Sequence, residues 1–152
     1  MNRFILIPAF ALTASLHVAT ALSAEELHVG HGWMAETDKP QARAFFEIEN
    51  EGSTPVTITG FSTDLGDATL TAPSLTPGAD PQEIARYTIA PGEALALEPE
   101  GLYLALTGLS APLPKGEAFE ILAQQETGDT IAIEIDVEGP NAESDSHAGH
   151  DH

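Results

Sequence analysis

Six histidines occur in this 152-residue chain, and none of them lies between residues 32 and 146. The last eight residues, Asp145-Ser146-His147-Ala148-Gly149-His150-Asp151-His152, carry three imidazoles and two carboxylates beside nothing larger and apolar than alanine. Neutral imidazole is a common ligand for zinc, copper and nickel, and short histidine-rich tracts read as metal binding. Flexible ligands of this kind wrap an ion without a preformed pocket, at about 1–2 kcal/mol of ordering entropy per residue fixed. The affinity expected is moderate, Cu(II) leads by the Irving–Williams order, and binding weakens as imidazoles protonate below about pH 6.5. The plainer alternative is a polar tail that happens to collect histidines.

A second set of donors stands near the other end, in His28-Val29-Gly30-His31-Gly32-Trp33-Met34. In a regular strand, residues 28 and 31 point to opposite faces, whereas a bulge or break at Gly30 or Gly32 lets them converge. Two imidazoles and a thioether suit copper, because thioether favours Cu(I) and imidazole serves both oxidation states. The competing reading has Trp33 and Met34 in the core and His28 on the surface. The candidate metal ligands are therefore His28, His31, Met34, His147, His150 and His152. Zinc and nickel suit most of the same donors, and Met34 tilts the choice towards copper.

The elements that must hold these groups are strands. Ile131, Ile133, Ile135 and Val137 alternate with Ala132, Glu134 and Asp136, the period-two pattern of a half-buried antiparallel strand. Similar short apolar runs occupy 44–50, 56–61, 102–106 and 119–122. Turn residues separate them: Asn50-Glu51-Gly52-Ser53, Pro77-Gly78-Ala79-Asp80-Pro81, Pro91-Gly92, Pro112-Leu113-Pro114-Lys115-Gly116 and Thr127-Gly128-Asp129. No segment carries a helical stripe. About eight or nine strands at this spacing predict an all-β Greek-key sandwich. Residues 139–152 lack periodicity and are expected to be a disordered appendage.

Residues 1–24 read as a secretory signal peptide: Arg3 in the n-region, an apolar stretch after it, and small residues at Ala21-Leu22-Ser23-Ala24 for cleavage. Pro8, His17 and the small-residue exit argue against a retained membrane anchor, so no membrane insertion is expected after cleavage. The expected order is a leader over 1–24, a sandwich domain over 25–138 and a metal-binding tail over 139–152. A periplasmic location follows from that reading. Without Arg3, four cations (Lys39, Arg43, Arg86 and Lys115) face 24 carboxylates, a formal charge of −20. Such a surface repels nucleic acid and anionic lipid and attracts metal ions and basic proteins. Solubility alone is the other use of that charge. The chain has no cysteine, which removes thiolate metal sites, redox pairs and cysteine nucleophiles. With no histidine inside the domain, no phosphate loop and no dinucleotide motif, catalysis is not expected.

Trp33-Met34-Ala35-Glu36-Thr37, followed by Ala42-Arg43-Ala44-Phe45-Phe46-Glu47-Ile48-Glu49-Asn50-Glu51-Gly52, resembles the opening of the periplasmic copper chaperones called PCuAC. Ile89-Ala90-Pro91-Gly92-Glu93 resembles that family's Ile-Pro-Ala-Gly turn. Gly101-Leu102-Tyr103-Leu104-Ala105-Leu106-Thr107-Gly108-Leu109 resembles its Gly-x-His-x-Met-Leu-x-Gly-Leu strand, and Leu113-Pro114-Lys115-Gly116-Glu117 its following turn. With the closing strand over 131–137, the likeness spans about residues 26–137. It implies a cupredoxin-like sandwich that holds Cu(I) with two histidines and two methionines. Carried over by position, the His-x-Met pair falls on Tyr103 and Ala105, and the earlier histidine near Leu70-Thr71-Ala72. The second methionine falls within 81–86, which contains none. The resemblance thus supplies the scaffold of a divergent member without its usual ligands.

Together these readings predict an exported copper chaperone or buffer that delivers copper to an exported or membrane-bound cuproprotein. Terminal histidines would carry Cu(II), Cu(I) or both. The alternative is a non-metal interaction module on the same sandwich, with a weakly scavenging tail.

Overall fold

The computed structural model describes residues 26–142. The expected leader, and the tail from residue 143 with its three histidines, lie outside the described residues. Twelve strands form in chain order: β1 (Leu27–Val29), β2 (Gly32–Ala35), β3 (Gln41–Phe45), β4 (Glu47–Asn50), β5 (Val56–Ser62) and β6 (Asp67–Ala72), then β7 (Gln82–Glu83), β8 (Tyr87–Ile89), β9 (Ala94–Ala96), β10 (Tyr103–Thr107), β11 (Ala118–Gln125) and β12 (Thr130–Glu138). No helix is completed among the described residues, of which only the last, Ala142, is helical. The all-β expectation holds.

Two sheets share these strands: a small one in the order β1-β4-β9, and a curled nine-stranded one in the order β7-β6-β10-β3-β2-β12-β11-β5-β8. Twelve elements appear where eight or nine strands were expected, partly because the chain twice changes sheet in mid-run and partly because short strands such as the two-residue β7 are added. Residues 44–50, read as one strand, are two. Ala44, Phe46 and Ile48 keep one inward parity through the change, while Phe45 on the opposite face is buried under Trp33. The chain bends at Phe46, and β3 stays in the large sheet while β4 joins the small one. Gly30 and His31 make the same crossing between β1 and β2.

The alternation in β12 sends Ile133, Ile135 and Val137 inward, where they meet Ile121 and Ala123 of β11 and Leu104 and Leu106 of β10. Ile48 and Leu95 close the core from the small sheet. Each such aliphatic side chain contributes about 1.5–3 kcal/mol by leaving water. At the turn from β8 to β9, Pro91 precedes Gly92 at φ 76°, and the Glu93 amide donates to Ala90 O at 2.9 Å. Proline pre-sets the first corner and only glycine takes the second without strain, the signature of a type II turn.

Candidate metal centre

His31 is the histidine that the fold does most to position. In β2, Gly32 and Met34 face the core, so His31 and Trp33 face outward. This strand lies parallel to the end of β12, with Asp136 beside Trp33 and Glu138 beside Ala35. The close fit depends on Gly32, where an added Cβ would sit 2.5 Å from Glu134 O and 2.6 Å from Ile135 Cδ1. As a result, His31 Nε2 stands 3.4 Å from Glu138 Oε1, and Nδ1 stands 3.7 Å from Asp136 Oδ2. The imidazole remains 60% exposed. A carboxylate beside an imidazole fixes its orientation as a ligand.

The other sequence candidates are distributed differently. His28 lies in β1 opposite Glu49, exposed and in the other sheet from β2. The break at Gly30 and His31 thus exists, but it parts the two histidines between sheets. Met34 does not join them. Its side chain is 0% exposed within the main core, the inward face of a strand whose outward face carries His31 and Trp33. His147, His150 and His152 lie outside the described residues. Among the described residues, no group of three histidine, aspartate or glutamate side chains closes into a metal cage. Asp136 and Glu138 had escaped the sequence reading as neighbours of His31, although their outward parity in the last strand was visible there.

A second cluster crosses the outer face of the large sheet. Trp33 pairs with Phe45 (ring centroids 4.6 Å apart), and Tyr103 pairs with Thr71 across β10 and β6. Leu104 opposite Ala44 places Phe45 and Tyr103 in the same row. Phe45 is 0% exposed and Tyr103 6%, yet neither belongs to the main core cluster. Arg43 lies over the Tyr103 ring, its guanidinium carbon 4.3 Å from the centroid. Ala105 stands between Arg43 and Thr69. Tyr103 and Ala105, where the resemblance put the His-x-Met pair, are therefore neighbours on one face with Thr71, which lies within the stretch given for the earlier histidine. They present a phenol, a methyl group and a hydroxyl, capped by a cation.

Residues 27–137 match the family described as lipoprotein LpqE-like. The chain belongs to the LpqE-like family. A curated relative from Leifsonia xyli subsp. xyli, named as lipoprotein Lxx21020, is 23% identical over 129 residues, covering 83% of this chain and 78% of the relative. Among solved structures, the apo PCuAC domain of PmoF2 matches with a TM-score of 0.64 at 18% identity, over 77% of this chain and 93% of that domain. CuI-DR1885 from Deinococcus radiodurans matches with a TM-score of 0.59 at 23% identity, over 83% of this chain and 88% of that chain. At these identities the likeness is one of fold: this LpqE-like chain has the architecture of a PCuAC domain.

Proposed function

We propose that this LpqE-like protein is exported and binds copper, as a chaperone or buffer for an exported or membrane-bound cuproprotein. His31 and His28 would supply the ligands of the domain, and His147, His150 and His152 those of the tail. The observation that carries this reading is the contact between His31 and Glu138 at 3.4 Å. Glu138 closes the last strand, so the imidazole just before the second strand stands at the root of the histidine-rich tail. The nine residues from Glu138 to His147 span up to roughly 30 Å when extended, ample for the tail to return to His31. Asp136 or Glu138 would orient the imidazole or add an oxygen donor.

Copper is favoured over zinc and nickel by two supports. The fold is shared with PCuAC domains, and one of the matched structures is named for bound CuI. The usual two-thioether arrangement is replaced here, since Met34 is the only methionine outside the leader and lies in the core. Metal handling on this scaffold would thus have moved from the β10–β6 face to the chain ends. Export is supported by the leader-like residues 1–24 and by the relative named as a lipoprotein. None of the 152 residues is a cysteine that could carry a thiol-linked lipid. The role proposed is binding and transfer, without catalysis.

The test is a titration of the chain from Glu25 onward with Cu(II), and with Cu(I) under a competing chelator, with zinc as control. One-to-one copper binding that survives excess zinc is expected. Replacing His147, His150 and His152 with alanine should remove most of that Cu(II) binding, and His31→Ala should weaken it about tenfold. Weak, ion-indifferent binding that His31→Ala leaves unchanged would overturn the proposal.

A further inference from the structure

Two strand edges are left open on the same side of the molecule. In β1, Glu51 N donates to Glu26 O and Gly30 N donates to Glu47 O, so the even-numbered residues bond to β4. The N–H and C=O groups of Leu27 and Val29 consequently point away from β4. β1 is the terminal strand of its sheet, so no described strand meets them. In β12 the parity is reversed. Gln125 N donates to Asp129 O and Val137 N donates to Glu117 O, so odd-numbered residues bond to β11. The even-numbered ones face β2, but β2 reaches only from Ile135 to Glu138. Thr130 and Ala132 therefore present their backbone groups beyond the point where β2 ends.

Both edges line a single groove of about 1050 Å³. Unpaired edges are normally blunted by lysine, proline or a covering loop, and here two of them flank one trough. The groove has an apolar strip that includes the half-buried Leu27, Val29 and Ile131. Glu26 and Asp129 supply its free charge, Glu126 being paired with Arg86, and neither lysine nor arginine lines it among the described residues. Backbone donors and acceptors, alternate apolar contacts and a carboxylate border are what an extended basic segment requires.

We propose that this groove binds an extended, basic peptide segment of a partner protein by strand addition. The segment continues the large sheet along Thr130 and Ala132, where β2 stops, and lies against the open edge of β1. Its lysines or arginines meet Glu26 and Asp129, and its alternate apolar side chains sit on the Leu27–Val29 and Ile131 surface. This does not depend on the copper reading, and it is tested without metal.

The experiment is an amide chemical-shift and hydrogen-exchange titration of the EDTA-treated chain from Glu25 onward. The probe is a capped heptapeptide of alternating lysine and valine. Saturable binding is expected, with the largest shifts and new protection at Leu27, Val29, Thr130 and Ala132. A peptide with glutamate in place of lysine should not bind, and one with a central proline should bind at least tenfold more weakly. Ala132→Pro removes an outward N–H that β11 does not use, so it should cut affinity at least tenfold while the far-ultraviolet spectrum stays unchanged. Mapping on the unaltered protein keeps the test decisive if that variant misfolds. Absence of binding at millimolar peptide, or shifts centred on Asp136 and Glu138, would overturn the proposal. So would protection of these four amides in a peptide-free dimer, which would give the groove to a second copy of the chain.

Discussion

Asn50 is the buried polar side chain on which the junction of the two sheets turns, and its removal should be costly. It is 0% exposed at the end of β4. Its Nδ2 donates to Thr54 O at 2.8 Å and to Ile89 O at 2.9 Å, and its Oδ1 accepts from Gly52 N at 3.0 Å. One amide thus ties β4 to the following turn and to β8 in the other sheet. Asn50→Ala deletes all three bonds. At about 1 kcal/mol net for each, more where a buried carbonyl is orphaned, the loss should be about 3 kcal/mol. For a domain of this size that lowers Tm by roughly 10–15 °C. Asn50→Asp is the sharper variant: it keeps the shape and the Gly52 bond, but turns both donors into acceptors and buries a charge against two carbonyl oxygens. At neutral pH it should cost at least as much as alanine. The assay is urea unfolding of the metal-free chain, with an unchanged m-value certifying that both end states are comparable. A loss below 1 kcal/mol for Asn50→Ala, or a neutral Asn50→Asp, would refute the claim that these three bonds hold the sheets in register.

Two further substitutions separate packing from ligation. Met34→Leu conserves core volume and should cost under about 1.5 kcal/mol, whereas Met34→Ala should cost about 2–5 kcal/mol. Neither should alter copper stoichiometry at temperatures where the chain is folded, and a copper-specific defect in Met34→Leu would return the thioether to the site. Arg43→Ala uncovers the Tyr103 ring and should cost about 0.5–1 kcal/mol, read by denaturant titration and by a change in tyrosine emission. A null result on both would mean that the guanidinium does not rest on the ring in solution.

The fold was legible because its signal is repeated. The alternation of Ile131, Ile133, Ile135 and Val137 fixes which face of β12 is wet, and the turn at Ala90-Pro91-Gly92-Glu93 has one residue order that suits one geometry. The sheet changes were less legible. The inward parity of Ala44, Phe46 and Ile48 runs unbroken through the change, so alternation alone does not say where the chain leaves one sheet for the other. The site was legible only as an inventory. The sequence shows His31 and the carboxylates of the last strand 105 and 107 positions apart in chain order, and parallel pairing of β2 with β12 is a long-range event with no local signature. Met34 illustrates the converse. Its thioether looks like a ligand by chemistry and by distance along the chain, yet parity relative to His31 turns it into the core.

Electrostatics favours the chain ends over the sheet face as the place for a cation. Arg43 caps Tyr103 beside Ala105 and Thr71, so an ion seated among those residues would meet a guanidinium at close range. Two unit charges about 4 Å apart repel by ~1 kcal/mol in bulk water and ~4 kcal/mol near a protein surface. No soft donor at Tyr103, Ala105 or Thr71 offsets that. At the corner of β2 and β12 the signs reverse: the imidazole of His31 stands between two carboxylates, and the chain continues from Glu138 towards three more imidazoles. A cation entering there gains attraction from Asp136 and Glu138 before any nitrogen ligates it. If the scaffold binds copper, the chemistry of these two surfaces assigns the ion to the second. On that condition Arg43 makes the face of Tyr103, Ala105 and Thr71 the poorer seat for a cation.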